Sequence, residues 1–373
     1  QALGYSSMML LPLYLHSLGA SRWEIGSIMA TAAIAGLLTR PIVGWSLDVL
    51  GRRPTILIGT WVVALAMSLI FFVRDLGALI YGIRILFGAG GGVLFTGYFA
   101  FASDVIPAER RTEGLAIFGI AGLLPLVVNP LSGSLGVAPG DLRLFYPALA
   151  VLVLCSLIFV VRVPEVPRTR LKTAGFSRKV FRALARPWLR PVWLATSIFA
   201  AFFAIFAAFA TVAAEQRGVS APRNLWLSYA LCAVSVRLFG AKLPDRVGTP
   251  NIVAPALASY TLAMVVVAGA ATDTAFLIAG GLAGVGHGYC FPVLTSQVIG
   301  RIPDSMRGTG LAMFTAIWSF SQLVVAPLFG WVSDLRGDEF MFSLASLMGV
   351  LALGPWCILE HRFGGLDPDK EAV

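Results

Sequence analysis

The chain has 373 residues, of which 58% are hydrophobic and only 13% are charged. Soluble domains are about 45–50% apolar and about 25% charged, so this composition excludes a soluble enzyme, a secreted disulfide scaffold and a disordered chain. The formal net charge of +9 comes almost entirely from one segment, Arg162 to Arg190, which carries nine Lys or Arg residues against a single acid. Because the excess charge belongs to one loop of an apolar chain, we expect no nucleic-acid partner.

Twelve apolar runs follow one another along the chain, bounded by charged residues or by Pro and Gly. They fall at about 1–19, 24–46, 54–73, 77–103, 112–134, 143–162, 191–214, 224–240, 250–270, 275–299, 308–332 and 340–360. Many of them reach the roughly 18 to 25 residues that a helix needs to cross a bilayer, and they do not alternate as barrel strands do. The pattern predicts an all-α membrane protein with twelve transmembrane helices.

Lys and Arg concentrate in the loops after the even-numbered helices, as in Arg52-Arg53 and Arg110-Arg111. The positive-inside rule places these loops, both termini and the basic linker in the cytoplasm. We therefore expect a multi-pass protein of the bacterial inner (plasma) membrane.

An internal repeat relates the two halves of the chain. A shift of 196 residues lays Gly114-Leu115-Ala116 on Gly310-Leu311-Ala312 and Gly88 on Gly284. Each copy contains six helices, so both copies enter the membrane in the same orientation and are related by an axis along the membrane normal. The predicted organisation is an N-terminal six-helix bundle (1–162), a basic cytoplasmic linker (163–190), a pseudo-symmetric C-terminal bundle (191–361) and a cytoplasmic tail (362–373).

The loop between helices 2 and 3 reads GWSLDVLGRRP from Gly44 to Pro54. It resembles the GxxxDxxGRR/K motif of the major facilitator superfamily, and a degenerate copy from Gly240 to Gly248 lies where that family repeats it. The segment from Arg84 to Gly88 is similar to the RxxxG motif of helix 4. The resemblance implies a secondary transporter that works by rocker-switch alternating access, with a central cavity lined mainly by helices 1, 4, 7 and 10. Arg40-Pro41-x-x-Gly44 is similar to members of the drug and metabolite efflux branches.

The same loop motif predicts a cytoplasmic gate. Gly44 and Gly51 permit a close helix approach and a tight turn, and Asp48 can complement a helix N-terminus, which in the family is that of helix 11. One of the two loop arginines is expected to pair with Asp104. The predicted gating residues are Gly44, Asp48, Gly51, Arg52, Arg53, Asp104, Asp245 and Arg246. The alternative is that the arginines only determine topology.

Arg84 lies well inside the predicted helix 4. An arginine at membrane depth is costly unless it faces water or a partner, so such residues are usually functional. On the same helical face lie Gly88, Gly91, Phe95 and Tyr98. We predict that this stripe faces the cavity. The alternative is that Arg84 snorkels outward or braces the structure by hydrogen bonding to backbone carbonyls.

Helices 7 and 10 supply the other candidate cavity residues. Phe199, Phe203 and Phe206 share one face of helix 7, and together with Phe291 they form a candidate apolar binding surface. The alternative for these rings is a packing or lipid-facing role. His287 lies near the middle of helix 10, and its imidazole is the one mid-membrane group suited to carrying a proton near neutral pH. A packed core histidine is the alternative.

Glu24, at the outer end of helix 2, is a second proton-coupling candidate. The segment from Ser21 to Glu24 also matches the S-x-x-E capping box, and capping is the favoured role. No Asp or Glu occupies the middle of a predicted span, which departs from the many proton-coupled relatives that bury a carboxylate in helix 1, 4 or 7.

The sequence contains no P-loop, no HExxH and no dinucleotide fingerprint, and its cysteines lack metal-ligand spacing. We expect no enzymatic activity, no cofactor and no metal site. The favoured function is efflux of a small amphipathic drug or metabolite, with proton antiport as one possible driving reaction. An organic or phosphate-bearing anion held by Arg84 is the alternative substrate. A non-transporting receptor or assembly scaffold is the alternative of another class. We expect the chain to work as a monomer in contact with membrane lipid.

Overall fold

A computed structural model of the chain describes residues 2–105, 117–162, 185–302 and 307–364. Within these ranges every regular element is helical, and the elements fall into twelve successive segments, which we number α1 to α12. In the same ranges, nine segments are long and apolar enough to cross a membrane. The other three segments are α1, α2 and α8, which are split or short.

The first half of the chain contains α1 to α6. Their bounds are Ala2–Ser7 and Leu11–Ser17 (α1), Arg22–Leu38 continued by Arg40–Val49 (α2), Arg52–Leu69 (α3), Ala78–Val105 (α4), Ile117–Ser134 (α5), and Leu142–Cys155 continued by Leu157–Val160 (α6). The second half contains α7 to α12. Their bounds are Arg190–Ile205, Phe206–Ala210 and Thr211–Gln216 (α7), Leu225–Phe239 (α8), Pro250–Gly269 (α9), Asp273–Gly300 (α10), Arg307–Arg336 (α11) and Asp338–Phe363 (α12).

Three segments depart from the single continuous α-helix that the apolar runs predict. α1 breaks after Ser7 and restarts at Leu11, where Pro12 occupies the first turn of the second piece. α5 changes to a 3-10 turn at Leu124–Val127, with Pro125 in its first turn. Proline has no backbone N–H to donate and clashes with the preceding turn, so it starts a helical piece more readily than it continues one. In α7 the middle turn, Phe206–Ala210, is π-helical.

Packing follows the sequence repeat. α2 and α3 pack on α4 in the first half, and α8 and α9 pack on α10 in the second half. A Cβ added at Gly88 of α4 would overlap the carbonyl oxygen of Ala32 in α2, and one added at Gly284 of α10 would overlap that of Tyr229 in α8. Small residues at such positions let membrane helices approach closely. Gly88 and Gly284, which correspond in the sequence repeat, are therefore points of close helix contact in each half.

The two halves meet mainly where α2 packs on α11 and where α5 packs on α8. We call the end of the bundle that contains the start of α2 the Arg22 end, and the opposite end the Arg40 end. Near the Arg22 end, Gly26 abuts the backbone of Ala326, and Gly330 abuts the backbone of Arg22. The halves are therefore in direct backbone contact at that end.

Candidate functional site

A cavity of about 470 Å³ lies between the two halves. Its walls come from α1, α2, α4 and α5 on one side and from α7, α8, α10 and α11 on the other. Along α2 the wall runs from Met29 to Arg40, and along α11 it runs from Phe314 to Ala326. The cavity therefore occupies the region between the middle of the bundle and the Arg40 end. Its volume falls in the range of about 300–1,000 Å³ that is usual for small-molecule sites.

At the opposite end a polar cluster that we call the Arg22 seal joins the two halves; it is made of Arg22, Gln216, Asp334 and Asp338. The Arg22 guanidinium donates to both carboxylate oxygens of Asp338, from Nε at 3.0 Å and from Nη2 at 2.5 Å. Its Nη2 also donates to Gln216 Oε1 at 2.6 Å. The Arg22 side chain is 6% exposed and that of Asp338 is 11% exposed, so this ion pair is largely shielded from water. The seal joins α2 of the first half to α7 and α12 of the second.

Asp334, near the end of α11, extends the seal to the first turn of α2. Its two carboxylate oxygens accept hydrogen bonds from the backbone N–H groups of Arg22 and Trp23, at 2.8 Å and 2.7 Å. The first N–H groups of a helix have no partner inside the helix and carry a partial positive charge, so a carboxylate stabilises them. Both halves are thereby tied together at the Arg22 end by backbone as well as side-chain contacts.

Six of the nine predicted cavity residues line the cavity: Arg84, Phe95, Tyr98, Phe203, His287 and Phe291. Gly91, Phe199 and Phe206 are not part of its described lining. On α4 the glycines that do line it are Gly88 and Gly92. After Gly88, the next α4 glycine that faces the cavity is therefore four residues on, at Gly92, and not three residues on, at the predicted Gly91.

Phe199 and Phe206 lie in a packed layer behind the cavity wall, and both are fully buried. The ring of Phe199 meets the rings of His287 and Trp318 edge-on, at centroid distances of 5.1 Å and 4.9 Å. The ring of Phe206 packs edge-on against Trp226 at 5.6 Å. These two phenylalanines therefore support the wall from behind. Their position matches the packing role that was the alternative to a cavity-lining role.

Arg84 combines both roles that its sequence position suggested. Its side chain lines the cavity, yet the residue is only 4% exposed. Nε donates to the carbonyl oxygen of Ile28 at 3.2 Å, and Nη2 donates to that of Met29 at 2.9 Å. The guanidinium carbon lies 5.5 Å from the ring centre of Phe87. Arg84 thus braces α4 against α2 and also contributes positive charge to the cavity wall.

His287 lies in the cavity wall among aromatic rings. Its Nδ1 is 2.5 Å from the hydroxyl oxygen of Tyr229, a hydrogen bond between α10 and α8. Its ring stacks on that of Phe291, with an interplanar angle of 18° and a centroid distance of 6.1 Å. The Tyr229 contact fixes the orientation of the imidazole within the cavity.

Two cavity residues, Arg40 and Arg237, were not predicted from the sequence, because arginines near helix ends are common for reasons of topology. In the structure both line the cavity. Arg40 Nη1 donates to the carbonyl oxygen of Ala312 at 2.9 Å, across the two halves. Arg237 is 7% exposed, and its Nε donates to the carbonyl oxygen of Gly288 at 3.4 Å. One feature of the sequence could have identified them: each lies inside an apolar run, 24–46 for Arg40 and 224–240 for Arg237, and not in the loop that follows.

Glu24 caps α2. The Ser21 side chain accepts from the backbone N–H of Glu24 at 3.2 Å, and the Glu24 carboxylate accepts from the backbone N–H of Ser21 at 2.8 Å. This reciprocal pair is the capping box that the S-x-x-E pattern predicts.

The gating motif can be described only in part, because the side chains of Asp48, Asp104 and Asp245 lie outside the described part of the structure. Gly51 and Gly248 occupy equivalent turns in the two halves and both have positive φ, at 104° and 88°. Such a backbone conformation is easy only for glycine, which explains why the motif repeats it.

The other described members of the motif lie around these two turns. Arg52 Nη1 donates to the carbonyl oxygen of Leu47 at 3.1 Å, Arg53 is half-buried, and Arg246 is exposed. No described atom lies within 4 Å of a Cβ added at Gly44, so a close helix approach there, as expected from the sequence, is not observed among the described residues. The gating role of the group stays a prediction.

Comparison with known proteins identifies the family. The sequence profile of the Major Facilitator Superfamily matches residues 2–326 and, in a second match, residues 226–371. The uncharacterized MFS-type transporter STM4428 of Salmonella typhimurium is 27% identical over 353 residues, covering 92% of this chain and 89% of that protein. The uncharacterized MFS-type transporter YhhS of Escherichia coli (strain K12) is 24% identical over 364 residues, covering 93% and 86%.

Two solved structures share the fold. The nucleoside transporter NupG superposes with a TM-score of 0.77 at 13% identity, and 96% of each chain is covered. The human organic anion transporter MFSD10 (TETRAN) superposes with a TM-score of 0.68 at 18% identity, covering 95% of this chain and 96% of that one. The predicted all-α transporter fold is confirmed, whereas the efflux branch stays a prediction. The chain belongs to the Major Facilitator Superfamily and is a membrane transporter, not an enzyme.

Proposed function

We propose that this protein carries an amphipathic organic anion across the membrane by alternating access, and that the observed conformation is the one closed at the Arg22 end. The cavity between the halves supplies the binding site, and the Arg22 seal supplies the closed gate. The charged lining of the cavity is the observation that carries the proposal. Among the described residues it contains Arg40, Arg84 and Arg237 and no Asp or Glu.

Positive charge without a carboxylate favours an anionic substrate. A buried cation is stabilised when an opposite charge lies nearby, and in this cavity a bound anion would provide it. Most of the remaining wall consists of aromatic and small apolar side chains, including Phe95, Phe203 and Phe314. Such a wall favours the apolar part of an amphipathic molecule. The proposal thus joins the two substrate predictions made from the sequence, an amphipathic molecule and an anion.

The proposal assigns the cavity to one side of the membrane. The positive-inside rule assigns the Arg40 end to the cytoplasm, so the cavity of this conformation belongs to the cytoplasmic half. Both termini and the basic linker would then lie in the cytoplasm of a bacterial cell. A carrier open to the cytoplasm can load there for efflux or release there after import, so the direction in this proposal, efflux, is taken from the Arg40-Pro41-x-x-Gly44 motif. The names of the two structural relatives, a nucleoside transporter and an organic anion transporter, do not decide the substrate, because identities this low establish the fold alone.

The experiment is exchange in proteoliposomes that contain the purified chain. Octane sulfonate and octyl trimethylammonium carry permanent opposite charges on the same tail, so neither crosses the bilayer as a neutral form. We expect saturable exchange of the sulfonate and none of the ammonium compound. Exchange of the cation at a rate equal to or above that of the anion would overturn the proposal.

Two other functions are separated by the same preparation. In a carrier of neutral amphipathic molecules, octane sulfonate and octyl trimethylammonium would inhibit exchange of a neutral substrate to the same extent. A receptor or scaffold would exchange neither, and a partner would bind through the linker, 163–184 of which lies outside the described residues.

Proton coupling through His287 is a second candidate, favoured by its place in the cavity wall and its hydrogen bond to Tyr229. It predicts that an imposed pH gradient accelerates sulfonate accumulation. His287→Gln keeps a polar side chain that cannot titrate and should abolish that acceleration while leaving exchange at equal pH. Acceleration that survives in His287→Gln would exclude this histidine as the coupling group.

A further inference from the structure

The three cavity arginines differ in how their guanidinium groups are held. Arg84 donates hydrogen bonds to two carbonyl oxygens of α2, those of Ile28 and Met29. Arg40 donates to the carbonyl oxygen of Ala312 and, at 3.2 Å, to the hydroxyl of Ser319. Arg237 makes one hydrogen bond in the described part of the chain, from Nε to Gly288 O at 3.4 Å, which is long for this bond type. Its two Nη groups are therefore the donors best placed to receive a ligand.

The position of Arg237 joins the two halves at the cavity wall. It extends from α8, yet its Nη1 would lie 2.5 Å from a Cβ added at Gly119 of α5, so the guanidinium reaches the backbone of the first half. Both residues line the cavity. An anion bound at Nη1 and Nη2 would thus sit where the first half meets the second.

An aromatic face lies beside this guanidinium. The guanidinium carbon of Arg237 is 5.9 Å from the ring centre of Phe291, within the distance of a cation–π contact. Phe99 from the first half approaches the same ring at 6.4 Å, and His287 stacks on it at 6.1 Å. Arg237 and Phe291 therefore present two forked donors next to flat rings.

We propose that Arg237 and Phe291 form a recognition site for a planar aromatic acid. The acid group would bind the Nη donors of Arg237, and its ring would pack against Phe291 and Phe99. A guanidinium fork matches carboxylate, sulfonate or phosphate oxygens in geometry, and aromatic rings prefer offset or edge-on aromatic partners. This substrate class rests on the proposed function, the transport of an organic anion, and narrows it to anions with an aromatic ring next to the charge.

The first test uses three probes on the unaltered protein. Naphthalene sulfonate has the ring and the charge, decalin sulfonate has the charge on a saturated ring system, and naphthyl methanol has the ring without the charge. Binding is followed by the fluorescence anisotropy of naphthalene sulfonate and by displacement of it with the other two. We expect naphthalene sulfonate to bind about tenfold or more tightly than either analogue.

The outcomes distinguish this inference from the proposed function. Equal binding of decalin and naphthalene sulfonates overturns the aromatic site and leaves the organic-anion proposal standing. Naphthyl methanol binding as tightly as naphthalene sulfonate overturns both. Because these comparisons need no mutation, they decide the inference even if a variant fails to fold.

Two variants then assign the parts of the site. Arg237→Gln should remove the advantage of naphthalene sulfonate over naphthyl methanol, a loss of about tenfold or more. Phe291→Leu should remove the advantage over decalin sulfonate and keep the advantage over the alcohol. Arg336 and Phe340 form a similar pair at 6.0 Å outside the cavity, so Arg336→Gln and Phe340→Leu are matched controls that should leave all three affinities unchanged. Affinities that are unchanged in Arg237→Gln would overturn the assignment.

Discussion

The Arg22 seal and the cavity wall each bury an arginine, but only one of the two has a carboxylate partner. Arg22 is 5% exposed and bonds both oxygens of Asp338. Arg237 is 7% exposed, and no Asp or Glu of the described residues lies in the lining of its cavity. An arginine side chain of similar burial is thus paired with a carboxylate in one region and has none in the described cavity lining of the other.

The difference indicates how one bundle can provide both a gate and a binding site. A gate that must open and reshut benefits from an internal partner of opposite charge, because the closed form is then stable without substrate. A binding site benefits from lacking that partner, because the substrate supplies the missing charge. Variants of the seal and of the cavity should separate these two roles.

The largest effect is expected from Asp338→Asn, which leaves the Arg22 guanidinium buried without its charge partner. Removing one member of a buried ion pair costs about 3–5 kcal/mol. We expect a clear fall in the thermal unfolding midpoint and a shift towards a conformation open at the Arg22 end. The distance between spin labels at the exposed positions Trp23 and Phe340 would report the shift.

Its control is the next residue along the chain, since Glu339→Gln removes an exposed charge from the same turn and should change neither measurement. The double variant with Arg22→Gln should recover part of the loss, because no unpaired charge then remains. Unchanged unfolding and an unchanged label distance in Asp338→Asn would show that the ion pair does not hold this end shut.

Gly26→Val tests whether the seal also needs backbone contact between the halves. A Cβ at Gly26 would overlap the carbonyl of Ala326 and approach the Cα of Pro327 to 2.9 Å. Overpacking of this kind costs about 1–3 kcal/mol, so the closed form should lose stability and the same label distance should lengthen. Gly82→Val is the comparison, because no described atom lies within 4 Å of a Cβ at Gly82. If both variants behave alike, the contact at Gly26 is not a closing contact.

Arg84→Lys tests whether Arg84 mainly braces the helices while Arg237 recognises the anion. Lysine keeps the charge but cannot reach two carbonyl oxygens with a planar fork, so the brace between α4 and α2 weakens. We expect a stability loss of about 1–2 kcal/mol with the preference for anions retained. Thermal unfolding and sulfonate exchange measure the two effects separately. Loss of the anion preference in this variant would transfer the recognition role from Arg237 to Arg84.

The smallest effect is expected from Asp273→Asn, at the start of α10. The Ser220 hydroxyl donates to this carboxylate at 2.5 Å and the backbone N–H of Ala221 donates at 2.8 Å, and together they lower the pKa of Asp273 below its ordinary value. A lowered folded-state pKa means that the stabilisation is complete above the ordinary pKa and is lost as the pH falls through the folded-state value.

The unaltered protein should therefore be slightly more stable than Asp273→Asn at pH 7, and the difference should vanish in strong acid. Thermal unfolding of both proteins across the acid range would check this. A difference that grows as the pH falls would contradict the assignment.

Much of the fold could be predicted from the sequence, because lipid imposes strict demands on a spanning segment. Backbone groups in hydrocarbon must bond within a helix, so twelve long apolar runs predict twelve helices with little ambiguity. The repeat of Gly88 at Gly284 likewise predicted equivalent packing in the two halves. The breaks in α1 and α5 were less predictable, since Pro12 and Pro125 could equally have been kinks inside continuous helices.

The site was predictable only in part. The stripe from Arg84 to Tyr98 follows from helical periodicity, but a periodicity of 3.6 does not decide whether Gly91 or Gly92 faces a cavity. Phe199 and Phe206 share a face with Phe203, and only the packing of neighbouring helices decides that Phe203 reaches the cavity while the other two lie behind the wall. Arg237 was hidden by its place near a helix end, where arginines are common for reasons of topology.

The sequence by itself determined that this protein lies in a membrane, the number and order of its helices, the duplicated organisation and the family. Those features depend on local composition and spacing, because each segment must by itself be apolar and long enough to span the bilayer. Only the tertiary structure decided which arginine meets a carboxylate and which faces the cavity. Arg22 and Asp338 are far apart in the chain, and Arg237 and Gly119 belong to different halves, so their proximity exists only once the two bundles have packed together.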